Sequence, residues 1–138
     1  MRAFFLSILM GFALFSAHAE EAHKVVYHVT AGIDSASAAL YNVQNHLNAD
    51  PKVKIVVVTN GSGIEFLVSD AKDHKGREFS GMVSDLASQG VEFRVCNNTL
   101  VSSNIDPSKL LMEATVVPSG VAEAARLQLA EGYAYIKP

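Results

Sequence analysis

Lys54-Ile55-Val56-Val57-Val58-Thr59 runs directly into Asn60-Gly61-Ser62-Gly63. Four consecutive apolar residues, three of them valine, leave no room for the apolar/polar alternation of a half-exposed strand. An unbroken β-branched run predicts a strand buried on both faces, the environment of a parallel sheet covered by helices. The two glycines that follow supply the freedom for a tight strand-to-helix turn.

Outward from this strand the same alternation of strand and helix recurs. Residues 24–30 (KVVYHVT) are β-branched and aromatic and predict the first strand. Between the two strands Ala36, Leu40, Val43 and Leu47 recur at helical spacing, with Asp34 or Ser35 expected as the cap and residues 48–51 as the stop. After the second strand, residues 64–71 predict a short helix and residues 72–77 a polar, mobile connection. Phe79, Val83 and Leu86 mark another helix, closed by Gly90. Residues 91–96 form a third strand and 97–103 a short helix or turn. Residues 108–112 read as one more helical turn, and 114–117 as a fourth strand. A helix opening at Ser119 runs to about residue 130, ends at Gly132, and gives way to a last strand over 133–136. Five strands with helical connections predict a three-layer α/β/α sandwich around a mainly parallel sheet, flavodoxin-like or Rossmann-like.

The first nineteen residues stand apart. Arg2 precedes a mostly apolar run, Ala17-His18-Ala19 has the small-x-small form of a cleavage site, and Glu20-Glu21 follows. The run is too short for a comfortable membrane span of about 20 residues. Cleavage after Ala19 is expected, leaving a single domain over residues 20–138 with no membrane span, in the periplasm or secreted. Loss of Arg2 takes the formal charge from −3 to −4. That balance, without a Lys/Arg cluster, argues against nucleic acid as a partner.

Chemistry in such sheets belongs beyond the carboxyl ends of the strands. Cys96, the single cysteine of the chain, ends the third strand. By parity Val91, Phe93 and Val95 share one face, and Glu92, Arg94 and Cys96 the other. Asn97 or Asn98 can cap the next helix, whose first amides would point back at the sulfur and lower its pKa. The alternative is a passive core thiol. Asn60 and Gly61 after the second strand could form an anion-binding turn, or only a tight turn that needs glycine. Ser119 and Gly120 after the fourth strand read as a helix cap or as part of a binding crevice. His28, near the end of the first strand, is a satisfied core histidine or a site residue. His23, His46 and His74 show no ligand spacing and one cysteine gives no zinc pattern, so no metal is expected.

Three stretches together resemble the DsrE-like family. They are Val91-Glu92-Phe93-Arg94-Val95-Cys96-Asn97-Asn98-Thr99-Leu100, Val117-Pro118-Ser119-Gly120-Val121-Ala122-Glu123 leading into Arg126-Leu127-Gln128, and Glu131-Gly132-Tyr133-Ala134-Tyr135-Ile136-Lys137. The resemblance spans residues 24–138. It implies a three-layer α/β fold and assembly into homotrimers or hexamers. It also implies a cysteine, matched here by Cys96, that carries sulfur as a persulfide between donor and acceptor proteins.

Two functions therefore compete. One is a sulfur or thiol carrier acting through Cys96, with Asn97, Asn98 and the adjacent backbone amides steadying the anion. A thiol that carries sulfur by itself needs no organic cofactor. The other is a non-catalytic module whose carboxyl-end crevice, with Asn60, Gly61, Ser119 and Gly120 and with His28 nearby, holds a small anion or a partner's peptide and uses Cys96 as wall material. A nucleotide or flavin site rests on fold analogy alone, because the chain lacks the glycine spacing of a phosphate loop.

Overall fold

The computed structural model describes residues 21–138. The leader reading and the cleavage after Ala19 fall outside the described residues. Five strands, β1 (Lys24–Val29), β2 (Lys54–Thr59), β3 (Glu92–Cys96), β4 (Ala114–Val117) and β5 (Ala134–Ile136), form one sheet in the order β4-β3-β2-β1-β5. Every pairing is parallel. Four helices accompany them: α1 (Ile33–Ala49), α2 (Phe79–Ser88), α3 (Asn97–Ser102) and α4 (Gly120–Glu131).

The valine run of β2 is buried on both sides, as its composition requires. Ile55 and Val57 join a cluster with Val25, Tyr27, Val29, Phe93 and Val95 beneath α1 and α2. Val56 and Val58 join Val26, Ala124 and Leu127 beneath α4. Full burial of each such side chain contributes roughly 1.5–3 kcal/mol, so this strand anchors both layers. The predicted stripe of α1 (Ala36, Leu40, Val43, Leu47) and that of α2 (Phe79, Val83, Leu86) are the buried faces.

The topology explains why α4 is alone on its face. From β1 to β4 the chain steps one way across the sheet, and α1, α2 and Leu100 of α3 pack on one side. From β4 it returns across the whole sheet to β5 on the far side of β1, so a right-handed crossover places α4 on the opposite face. The exits of β3 and β4 thus leave toward opposite faces. Between neighbouring strands this divergence opens the crevice in which α/β proteins hold ligands.

Several local expectations are corrected. The cap of α1 is Gly32, with neither Asp34 nor Ser35 in that role, because Ile33 already packs on the core and draws the first turn in. The helix expected over 64–71 is a 3₁₀ segment, Gly61–Leu67, beginning directly after Asn60. Three residues per turn align Ile64 with Leu67, and both are buried. The turn expected over 108–112 is the 3₁₀ turn Pro107–Lys109, capped by Asp106, and Leu110 then bridges to Val68. The 72–77 connection carries a local hydrogen-bond cluster. Asp73 accepts hydrogen bonds from the Lys75 and Arg77 amides and from the Arg77 guanidinium.

Candidate functional site

Cys96 is the last residue of β3 and also the N-cap of α3. The expected cap, Asn97 or Asn98, is displaced because the strand passes into the helix with no intervening loop. Strand parity holds: Val91, Phe93 and Val95 lie in the α1/α2 cluster, while Arg94 reaches Glu123 on α4. Cys96 therefore faces α4, at the crevice between β3 and β4, and is 5 % exposed.

Gly120, the first residue of α4, lets the surrounding loops close on the thiol. A Cβ at Gly120 would stand 3.0 Å from the Thr59 carbonyl oxygen, 3.2 Å from Cys96 Cβ and 3.3 Å from Asn60 Cβ. The carboxyl ends of β2, β3 and β4 thus meet at one point that only glycine leaves open.

Burial alone would push the Cys96 thiol up. It is outweighed by the amide of Gly120, the hydroxyl and amide of Thr99, and the amide of Asn98, which hold the thiol below its ordinary value. Asn98 and Thr99 are the second and third residues of α3, the positions whose amides an N-cap side chain receives. The Thr99 hydroxyl oxygen accepts from the Gly61 amide at 3.0 Å, which leaves its own proton for the sulfur.

His28 lies on the same face, on β1, and is 8 % exposed. Its Nε2 lies 2.7 Å from Asn60 Oδ1 and its Nδ1 lies 2.8 Å from the Tyr135 hydroxyl. An amide oxygen only accepts, so Nε2 carries the proton, and in the neutral ring Nδ1 accepts from Tyr135.

Of the residues singled out from sequence, Cys96, Gly120, Asn60, Gly61 and His28 are brought into one connected set. Asn97 is half-buried and Asn98 exposed, and Asn98 contributes its backbone N–H to the sulfur. Ser119 caps α4 by accepting from the Ala122 amide at 3.4 Å. Arg94 is engaged by Glu92 and Glu123. Two members of the set escaped the sequence reading. Thr99 carried a usable signal, its position three residues after Cys96, which the choice of Asn97 or Asn98 as cap concealed. Tyr135 carried none, since nothing local ties the last strand to the first. Among the described residues no group of three or more His, Cys, Asp or Glu is placed to hold a metal, and no helix is long and apolar enough to cross a membrane. A depression of about 560 Å³ at the amino end of β1, lined by His23, Lys24, His46, Glu131 and Ala134, contains neither Cys96 nor any of its donors.

An all-parallel sandwich with one cysteine at the switch between β3 and β4 defines a class of α/β protein. The model of the DsrE/DsrF-like family matches residues 13–138, and the chain belongs to that family. It is similar to the solved structure of MTH1491 from Methanobacterium thermoautotrophicum, described as a protein of unknown function. The two share 38 % identity over 84 % of this chain and 99 % of that one, with a TM-score of 0.75. The ychN protein from E. coli shares the fold at 13 % identity, with a TM-score of 0.71 over 84 % of this chain and 99 % of its own. No curated protein matches the chain.

Proposed function

We propose that this DsrE-like protein is a periplasmic or secreted sulfur carrier in which Cys96 takes up and hands on sulfane sulfur as a persulfide. The observation that carries the reading is the meeting of two helix starts, α3 and α4, at one thiol at the switch point, with Gly120 packed against Cys96 and the surrounding amides holding the thiol below its ordinary value. Donors that steady a thiolate also steady the terminal sulfur anion of a persulfide.

The chemistry is an exchange with no net oxidation. The Cys96 thiolate attacks a sulfane sulfur of a polysulfide, an S–S bond forms, the neighbouring S–S bond breaks, and the shortened polysulfide leaves with the electron pair. An acceptor thiolate then attacks the outer sulfur of the Cys96 persulfide, and Cys96 leaves as thiolate. Donor and acceptor are thiol proteins or small sulfur compounds.

Self-association into a trimer or hexamer belongs to the same reading. Val101, Val116 and Val121 are exposed on α3, β4 and α4, the three elements that frame Cys96. Covering them would shield a free thiol from adventitious oxidation in an exported protein.

Intact mass spectrometry of the protein after polysulfide, beside Cys96→Ser, tests the proposal. Sulfur additions that a reductant reverses and that vanish in Cys96→Ser are expected. A thiol that reacts with iodoacetamide only after unfolding would overturn it. The near-complete burial of Cys96 favours a second reading, a non-catalytic binding or assembly module with a structural thiol. That reading predicts a Cys96→Ser protein unchanged in assembly and anion binding.

A further inference from the structure

The chain Tyr135–His28–Asn60 has no part in the thiol's own hydrogen bonding, yet it ends beside it. On its face of the sheet His28 stands among valines: Val26 precedes it by two residues, and Val58 is its register partner on β2. A polar ring in that setting is retained at a cost unless both nitrogens are satisfied, and here both are. The polarity of the chain is set at Asn60, whose Oδ1 can only accept. Nε2–H donates to Asn60 Oδ1, and in the neutral ring Tyr135 donates to Nδ1. The Tyr135 ring also packs edge-on against the imidazole, with ring centres 5.7 Å apart.

The consequence falls on Asn60. With Oδ1 pinned by His28, its amide plane is set, and the two Nδ2 protons have no partner in the described chain. Asn60 Cβ and Cys96 Cβ lie within 3.3 Å of the same point, the missing Cβ of Gly120. Asn60, with two unclaimed side-chain donors, therefore borders through its Cβ the crevice that holds the thiol.

We infer that Asn60 is a specificity-determining donor for anionic sulfur compounds at Cys96, and that His28 and Tyr135 are positioning residues that hold its amide for that task. The inference rests on the reading of Cys96 as a nucleophile and names its substrate class: compounds with a negative group next to the sulfur under attack, such as tetrathionate. With tetrathionate the Cys96 thiolate forms an S–S bond to an inner sulfur, the central S–S bond breaks, and thiosulfate leaves with the electron pair. Cys96 keeps the other thiosulfate half, whose sulfonate is the group Asn60 would meet. The C-terminal stretch around Tyr135 thereby reaches the site through His28.

The test compares the rates at which iodoacetate and iodoacetamide, an anionic and a neutral reagent of similar size, alkylate Cys96 in the folded full chain. Loss of one hydrogen bond to a charged group predicts that Asn60→Ala lowers the iodoacetate rate relative to the iodoacetamide rate by about tenfold. Tyr135→Phe, which keeps the ring packing and removes only the hydroxyl, is expected to lower the same ratio by a few-fold, and does not depend on Asn60→Ala folding. The ratio is a quantity that a purely structural role would not move. An unchanged ratio in both variants overturns the inference while leaving Cys96 a nucleophile. A folded wild-type protein inert to both reagents overturns the carrier reading, and this inference with it.

Discussion

Gly120 and Cys96 sit so close that a methyl group on the glycine would stand 3.2 Å from the Cβ of the cysteine. The start of α4 is thereby brought onto the end of β3, and the Gly120 amide becomes the first of the donors that favour the thiolate. Gly120→Ala must push against the Thr59 carbonyl as well as against Cys96. A loss of about 1–3 kcal/mol in denaturant unfolding is expected, the usual cost of overpacking. Alkylation of Cys96 at neutral pH should slow as its donor is displaced. Unchanged stability and reactivity would show that the approach is looser than this contact implies.

The thiol itself should make stability depend on pH. Its folded pKa lies below its ordinary value, so the folded state releases the proton first. The resulting stabilisation is fully present above the unfolded thiol pKa and is lost as pH falls through the folded one. Unfolding of the wild type and of Cys96→Ser, followed across that window, should show an advantage of the cysteine protein that grows with pH. The alkylation rate should level off at a lower pH than it does for the unfolded chain. A coincident profile would remove the argument for a stabilised thiolate.

Thr99→Val keeps the shape of the side chain but removes both the acceptor of the Gly61 amide and the hydroxyl directed at Cys96. A loss of about 1–3 kcal/mol is expected from leaving the Gly61 amide without its partner. The alkylation profile should move toward the ordinary thiol range. Thr99→Ser should restore much of both, which separates the role of the hydroxyl from that of the methyl group.

Glu123 holds Arg94 and Arg126 together on the α4 face. The hydrogen bond from Arg126, opposed by burial and reinforced by Arg94, lowers its carboxyl to about 2. A depressed carboxyl stabilises the fold above its unfolded pKa and loses that contribution as pH falls through about 2. Glu123→Gln should cost about 1.5–3 kcal/mol at neutral pH, the range for hydrogen bonds to charged groups, and the cost should shrink in acid. Thermal melts from neutral pH into strong acid measure this directly.

Gly63 is a more severe constraint. A Cβ there would lie 2.2 Å from the Val29 carbonyl oxygen, a backbone atom that cannot move without disturbing β1. Gly63→Ala should destabilise by more than about 3 kcal/mol or prevent folding, as judged by soluble yield and the unfolding midpoint. Ready tolerance of alanine would mean that the 3₁₀ segment can detach from β1.

The layers were legible in the residues alone. The valine run of β2 demanded cover on both faces, and the stripes of α1 and α2 supplied one of them. Parity along β3 set Cys96 apart from Phe93 and Val95. These readings hold because burial patterns repeat at the period of the local backbone, so a strand or helix announces its buried side in its own residues. Helix starts were less legible. Gly32 and Cys96 displaced better-capping neighbours because packing of Ile33 and the direct passage from strand to helix fixed where winding begins. The company Cys96 keeps was set by the packing of distant segments. Gly120 is brought to it by α4, Gly61 through Thr99, and Asn60, His28 and Tyr135 from three further strand ends. No periodicity encodes those meetings. They arise where the β3 and β4 exits diverge and α4 crosses back over the sheet, a consequence of strand order that the local pattern of no single segment contains.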